Sequence, residues 1–165
     1  MNLTQQHDLT EKSASIAAIL VDRGETVCVA ESSAGGLISA SLLAVPGASS
    51  YFVGGGVIYT HSARRAFLPR GGEALSGIRS ASEPYANWLA KTLCGHLGTT
   101  WALAETGAAG PTGNPYGDNA GHSCLAVFGQ RKKVLTIETQ TSDRQKNMWS
   151  FTYAALALLK ETIEG

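Results

Sequence analysis

The sequence predicts an α/β domain of three layers, helices on both faces of a mixed, mostly parallel sheet that ends in an antiparallel hairpin. Helix-like and strand-like stretches alternate along the chain, the pattern of a layered α/β domain. The last two strand-like stretches are joined by a tight Gly129-Gln130-Arg131-Lys132 connection, which makes them a hairpin and the sheet mixed. The chain has 165 residues, 44% of them hydrophobic, without repeats or a low-complexity linker, so a single domain over 1–165 is expected.

In order, Asp8-x-x-Glu11 reads as an acidic capping box, followed at helical spacing by Ile16, Ile19, Leu20 and Arg23, with Gly24 as the stop. Thr26 to Ala30 is a short β-branched strand, and Gly35 to Ala44 a helix of small residues. Tyr51 to Thr60 reads as a strand interrupted by Gly54-Gly55-Gly56, which suggests a bulge or a close-packed backbone. Arg70 to Ser80 is the expected irregular segment. Glu83 to Leu97 is a helix, Trp101 to Glu105 a strand, and Ser123 to Phe128 and Val134 to Gln140 form the hairpin. Ser142-x-x-Gln145 is a second capping box, and Met148, Phe151, Ala155, Leu156, Leu159 and Ile163 continue it as a core-facing stripe.

Composition excludes several classes of function. Charged residues are only 16% of the chain and balance at 13 basic and 13 acidic, leaving no basic footprint for nucleic acid. No apolar run approaches the ~20 residues that span a bilayer, and the polar start at Met1 to Glu11 lacks the form of a secretory signal. Cys28, Cys94 and Cys124 are odd in number and widely spaced, as expected of reduced structural thiols in a cytoplasmic protein. No His, Cys or carboxylate spacing suggests a metal, and no cofactor is implied.

Two glycine-containing stretches leave predicted strands at the end where ligands bind in open α/β sheets. The first is Ala30-Glu31-Ser32-Ser33-Ala34-Gly35-Gly36. A serine hydroxyl here serves either as a nucleophile beside free helix N–H groups or simply as the cap of the following helix. The second runs from Thr106 through Gly107, Ala109 and Gly110 to Pro115 and reads as a ligand-binding loop or a surface turn. His61 and His122 adjoin these stretches and are candidate bases; His7 and His96 do not.

Taken in order, six stretches resemble the C-terminal domain family of the competence/damage-inducible protein CinA. They are Ala30 to Leu37, Val45-Pro46-Gly47-Ala48-Ser49, Gly55-Gly56-Val57-Ile58-Tyr59, Ala81-Ser82-Glu83, Thr106 to Pro111, and Ser142-Asp143-Arg144. The resemblance implies a three-layer α/β/α homodimer that hydrolyses the carboxamide of nicotinamide mononucleotide to nicotinic acid mononucleotide and ammonia, without a metal. It implies Ser32 as nucleophile, with Tyr59 and the position of Arg64 completing the catalytic set. Backbone N–H groups of Ser33, Ala34, Gly35 and Gly36 would form the oxyanion hole. Thr106, Gly107, Ala109 and Gly110 would embrace the nucleotide, with Arg144, and Arg64 or Arg65, at its phosphate.

The chain departs from that pattern in three places. Active members carry a lysine where Arg64 stands, and a guanidinium, with a pKa above ~12, cannot serve as a base. Ala34 replaces a usual threonine, and Asn119-Ala120-Gly121-His122 replaces Pro-Val-Gly-Thr. Three readings result: an amidohydrolase in which Tyr59, His61 or His122 activates Ser32; a nucleotide-binding module without turnover; or a dimeric interaction domain with a vestigial pocket.

Overall fold

The computed structural model describes residues 3–68, 75 and 77–165, with side chains from His7 onward. The elements are α1 (Leu3–Asp22), β1 (Val27–Glu31), α2 (Leu37–Leu43), a 3-10 turn (Ala48–Ser50), β2 (Phe52–Val57), α3 (His61–Phe67), α4 (Glu83–Leu97), β3 (Trp101–Ala108), β4 (His122–Phe128), β5 (Lys132–Glu138) and α5 (Arg144–Glu164). The five strands form one sheet in the order β2-β1-β3-β4-β5. β1 runs parallel to both β2 and β3, whereas β3-β4 and β4-β5 are antiparallel, so the expected mixed sheet with its terminal hairpin is present.

Strand alternation gives the sheet two unlike faces. Val27, Val29, Trp101, Leu103, Leu125 and Val127 point into a core of large side chains shared with α1, α2 and α5. Their neighbours Cys28, Ala30, Ala102, Ala104, Cys124 and Ala126 face α4, where Tyr85, Leu89 and Leu93 supply the bulk from the helix side. All three cysteines are free and buried, and burial pushes the Cys28 thiol up to about 11, so they act as small core residues.

Several boundaries differ from expectation. α1 begins before Asp8, so Asp8 and Glu11 lie inside the helix and are no capping box. At α5 the cap is Asp143, not Ser142: its carboxylate accepts from the Lys146 N–H at 3.1 Å. Thr60 caps α3, a short helix that the sequence reading passed over, by accepting from the Ala63 N–H. β3 continues three residues past Glu105, because Thr106, Gly107 and Ala108 pair with Cys124, Ser123 and His122. Of the irregular segment expected over 70–80, residues 70–74 and 76 lie outside the described residues.

Two glycines are fixed by close approach. A Cβ on Gly55 would overlap the Ser39 hydroxyl of α2, so glycine lets α2 settle against the edge strand; the pairing register slips two residues earlier, at Val53, with Val27 opposite Phe52 and Cys28 opposite Gly54. A Cβ on Gly107 would overlap the His122 carbonyl oxygen and lie 2.8 Å from the Ser123 Cα. Because those obstacles are backbone, Gly107→Ala should destabilise the domain by about 2 kcal/mol or more in urea melts. A loss below ~0.5 kcal/mol would mean that β4 yields easily at this point.

Candidate functional site

The sequence-predicted site residues other than Arg64 and Arg65 gather at one edge of the sheet. The carboxyl ends of the parallel strands β1, β2 and β3 meet there with the start of β4, the end of β5 and the N-terminus of α5. Parallel register places Ala30 opposite Ala104, so the next residues, Glu31 and Glu105, are neighbours, and both are fully buried. These two carboxylates build the site, and neither was singled out as functional from sequence.

Glu31 accepts from the N–H groups of Gly36 (2.9 Å), Ile38 (3.1 Å) and Ser39 (2.9 Å), and from the Ser39 hydroxyl at 2.6 Å. It therefore does at the head of α2 what a capping side chain usually does, from the strand beneath it. Glu105 accepts from the N–H groups of Ser32 (2.9 Å) and Ala34 (2.8 Å), the Ser123 hydroxyl (3.1 Å) and the Ser33 hydroxyl. Burial pushes the Glu105 carboxyl above the usual carboxylate range, against the opposing pull of those donors.

This arrangement separates the two serines. Ser33 is buried and bound to Glu105, whereas Ser32 is half-buried and its hydroxyl has no hydrogen-bond partner among the described residues. It also corrects the expected oxyanion hole. The Ala34 and Gly36 N–H groups are spent on the two glutamates and the Gly35 N–H on the Ser32 carbonyl at 3.1 Å, so only the Ser33 N–H is left. Ala34 itself belongs to the core under α1, α2 and α5, with no side-chain surface to offer a ligand. Gly35 and Gly36 adopt φ +70° and +99°, the left-handed backbone that makes this tight turn.

The opposite wall is tied together by Arg144, the first residue of α5. Its guanidinium donates to the Gly110 carbonyl at 2.7 Å and to the Tyr59 hydroxyl oxygen at 3.1 Å. Gly110 has φ +104° and packs against the Ser142 carbonyl, and buried Asn147 holds the Ala109 and Thr141 carbonyls at 2.8 Å each. Thr106 and Gly107 belong to β3 and not to the loop. The Thr106 hydroxyl accepts from the Ala81 N–H at 3.2 Å. Arg64 is turned towards α4, 6.0 Å over the Tyr85 ring, while Arg65 is exposed and bonds Ser62.

The two histidines also part company. His61 is exposed at the start of α3. His122 is buried, with Nδ1 2.5 Å from Glu138 Oε1 and Nε2 3.0 Å from the Ala81 carbonyl oxygen. With both nitrogens engaged, it is not placed to deprotonate Ser32. An open cleft of about 630 Å³ between α1 and α5, lined by Asp8, Lys146, Trp149 and Tyr153, includes none of the predicted site residues. Among the described residues, no group of three His, Cys, Asp or Glu is placed to hold a metal.

The glutamate-bound serine turn and the glycine-rich loop lie in a stretch, residues 9–163, that matches the CinA C-terminal domain as a family. The chain belongs to the CinA C-terminal domain family. It is 37% identical over 119 residues to a CinA-like protein of Prochlorococcus marinus (70% of this chain, 28% of that protein). With a CinA-like protein of Chlorobium phaeobacteroides it shares 33% over 156 residues (91% and 37%). The chain thus spans about a third of the length of such relatives. Among solved structures, a competence or damage-inducible protein from Enterobacter asburiae superposes with a TM-score of 0.86 at 25% identity, covering 94% of this chain and 98% of that one. A competence/damage-inducible protein from Agrobacterium tumefaciens gives 0.84 at 28%, covering 96% of each. Among the described residues, no helix of this CinA domain is long and apolar enough to cross a membrane.

Glu105→Ala should cost this CinA domain about 3 kcal/mol or more in urea melts, since it leaves two buried N–H groups and two hydroxyls without their acceptor. Glu105→Gln retains a carbonyl for the N–H pair and an NH₂ for the hydroxyls, and should lose much less. Equal losses would show that the charge, and not the hydrogen-bond pattern, holds the turn.

Proposed function

We propose that this domain is a nicotinamide-nucleotide amidohydrolase in which Ser32 attacks the carboxamide carbon of nicotinamide mononucleotide. The observation that carries this reading is the Ser32 hydroxyl itself: half-buried, unpartnered among the described residues, and set on a turn immobilised by two buried carboxylates. An enzyme gains most from a nucleophile whose position is already fixed. The hydroxyl would add to the carboxamide carbon and pass its proton to the amide nitrogen, which makes ammonia the leaving group, and the Ser33 N–H would donate to the developing oxyanion. Collapse would expel ammonia and leave an acyl-serine, which water would hydrolyse to nicotinic acid mononucleotide and free Ser32. The Tyr59 oxygen already accepts from Arg144, so the phenol keeps its own proton for exchange with the reacting groups. The remaining N–H donors of Arg144 suit a phosphate at the same wall.

A second reading, nucleotide binding without turnover, is favoured by Arg64. A lysine can be tuned by its surroundings to act as a base for serine, but an arginine cannot, and this guanidinium lies over Tyr85. The two readings part in one experiment. Ammonia release from nicotinamide mononucleotide is followed for the wild-type domain, Ser32→Ala and Arg64→Lys, beside melting temperatures with and without nucleotide. The hydrolase reading expects release by the wild type, reduced by about 10³-fold or more in Ser32→Ala. Undiminished release by Ser32→Ala would remove Ser32 from the mechanism. A silent wild type that melts higher with nucleotide would establish the binding module, and release restored by Arg64→Lys would locate the missing base.

A further inference from the structure

His122, the first residue of β4, lies buried beside the site, and the proposed chemistry leaves it unused. Its Nε2 meets the Ala81 carbonyl oxygen at 3.0 Å, and its Nδ1 meets Glu138 Oε1 at 2.5 Å. A carbonyl cannot donate, so Nε2 must carry a hydrogen. A carboxylate cannot donate either, so the contact with Nδ1 requires a second proton on the ring or one shared with Glu138. The imidazole with both contacts intact is therefore the proton-loaded form. Ala81 is an unusual residue to find gripped in this way, because it has φ +53° without being glycine. Its N–H is held by the Thr106 hydroxyl and its carbonyl by His122, with Arg79 also donating to that carbonyl at 3.1 Å.

We propose that His122, Glu138 and the Ala81 carbonyl form a proton-dependent latch that holds the 79–82 segment against Thr106 at the rim of the candidate site. Apart from the Arg79 guanidinium, which pairs with Asp118, the charged groups around the ring favour its proton. Glu138 faces the ring from β5, and Asp118, on the loop ahead of β4, lies 3.8 Å from Nε2. Asp118 is paired in turn with Arg79, at 2.5 and 2.9 Å. The Cys124 thiol on β4 lies 3.5 Å from Nε2, and Glu83 of α4 binds Thr136 on the far side. Burial alone would lower the imidazole pKa, but the Glu138, Ala81 and Asp118 oxygens outweigh it and raise the pKa above the ordinary value.

The sign follows. The raised pKa belongs to the folded state, so the latch is complete below about pH 6.5 and is lost as pH climbs through the higher folded value. The neutral ring keeps its hydrogen on the charged partner, Glu138, where the bond is stronger. Nε2 then turns a lone pair on the Ala81 carbonyl and on Asp118, and the segment is repelled. Its departure frees the Thr106 hydroxyl. The latch is independent of any turnover at Ser32.

The test is amide hydrogen exchange on the whole chain between pH 6 and 9, beside an NMR titration of the His122 ring. His122 should titrate above 6.5. Ala81 exchange should rise through the same pH range by about tenfold or more beyond intrinsic base catalysis, the factor carried by one charge-assisted hydrogen bond. In Glu138→Gln, the neutral amide can donate to Nδ1 and leave the ring hydrogen on Nε2. That variant should titrate lower and keep Ala81 protected at pH 9. Either of two results would overturn the latch: a His122 that titrates while Ala81 follows intrinsic exchange alone, or a Glu138→Gln variant that opens as the wild type does.

Discussion

Two carboxylates buried side by side at the ends of β1 and β3 are the constraint on which the rest of this site depends. An ionised carboxylate taken from water into a protein core is costly unless every lone pair finds a donor. Glu31 and Glu105 each collect four, and all but the Ser123 hydroxyl come from residues 32–39. The chain after β1 is thus folded around two buried carboxyl groups that the sheet has already positioned. Meeting that demand consumes most of the N–H groups that a helix start would otherwise present to a ligand. What remains outward is the Ser32 hydroxyl and the Ser33 N–H, which leaves the turn a single unpartnered hydroxyl beside a single free donor.

The sheet's two unlike faces extend that control to the other rim. At the middle of β1, β3 and β4 the positions that turn towards α4 carry alanine and cysteine, so the helix can lie close and fill the space with its own tyrosine and leucines. The start of α4 fixes where the chain before it must run. Ser82 caps the helix, accepting from the Tyr85 N–H, and Ala81 immediately before it takes the left-handed conformation that turns the chain onto Thr106. The strain at Ala81 is tolerable because its N–H and carbonyl are both gripped.

How much of this was legible in the sequence follows from how local each cause is. The bounds of α4 are legible in the sequence, since Ser82, Glu83, Pro84 and Gly98 punctuate it within the helix and its flanks. The order of the six family stretches needed no geometry at all. Asp8 and Glu11 misled because the same three-residue spacing that marks a capping box recurs inside helices. Thr106-Gly107-Ala108 looked like loop because glycine usually means a turn; here it answers the His122 carbonyl, a neighbour only through strand pairing. The partnership of Glu31 with Glu105 spans 74 positions of sequence and exists only in the β1-β3 register. α3 alone carried an overlooked local signal, in Thr60.

The three departures from the family pattern differ in physical kind. Ala34 is absorbed by the core: its methyl is fully buried and its N–H is bonded to Glu105, so no polar group is left facing a ligand. Arg64 keeps a positive charge but loses the ability to release a proton, and its flat guanidinium has found an aromatic face instead. His122 brings a titratable ring into a buried position between β5 and the segment before α4, where a threonine would offer one hydroxyl and no charge. The imidazole beside the site is thus one whose two nitrogens are engaged by Glu138 and the Ala81 carbonyl. The shape of the site therefore rests on Glu31 and Glu105 and does not depend on which side chain stands at residue 64.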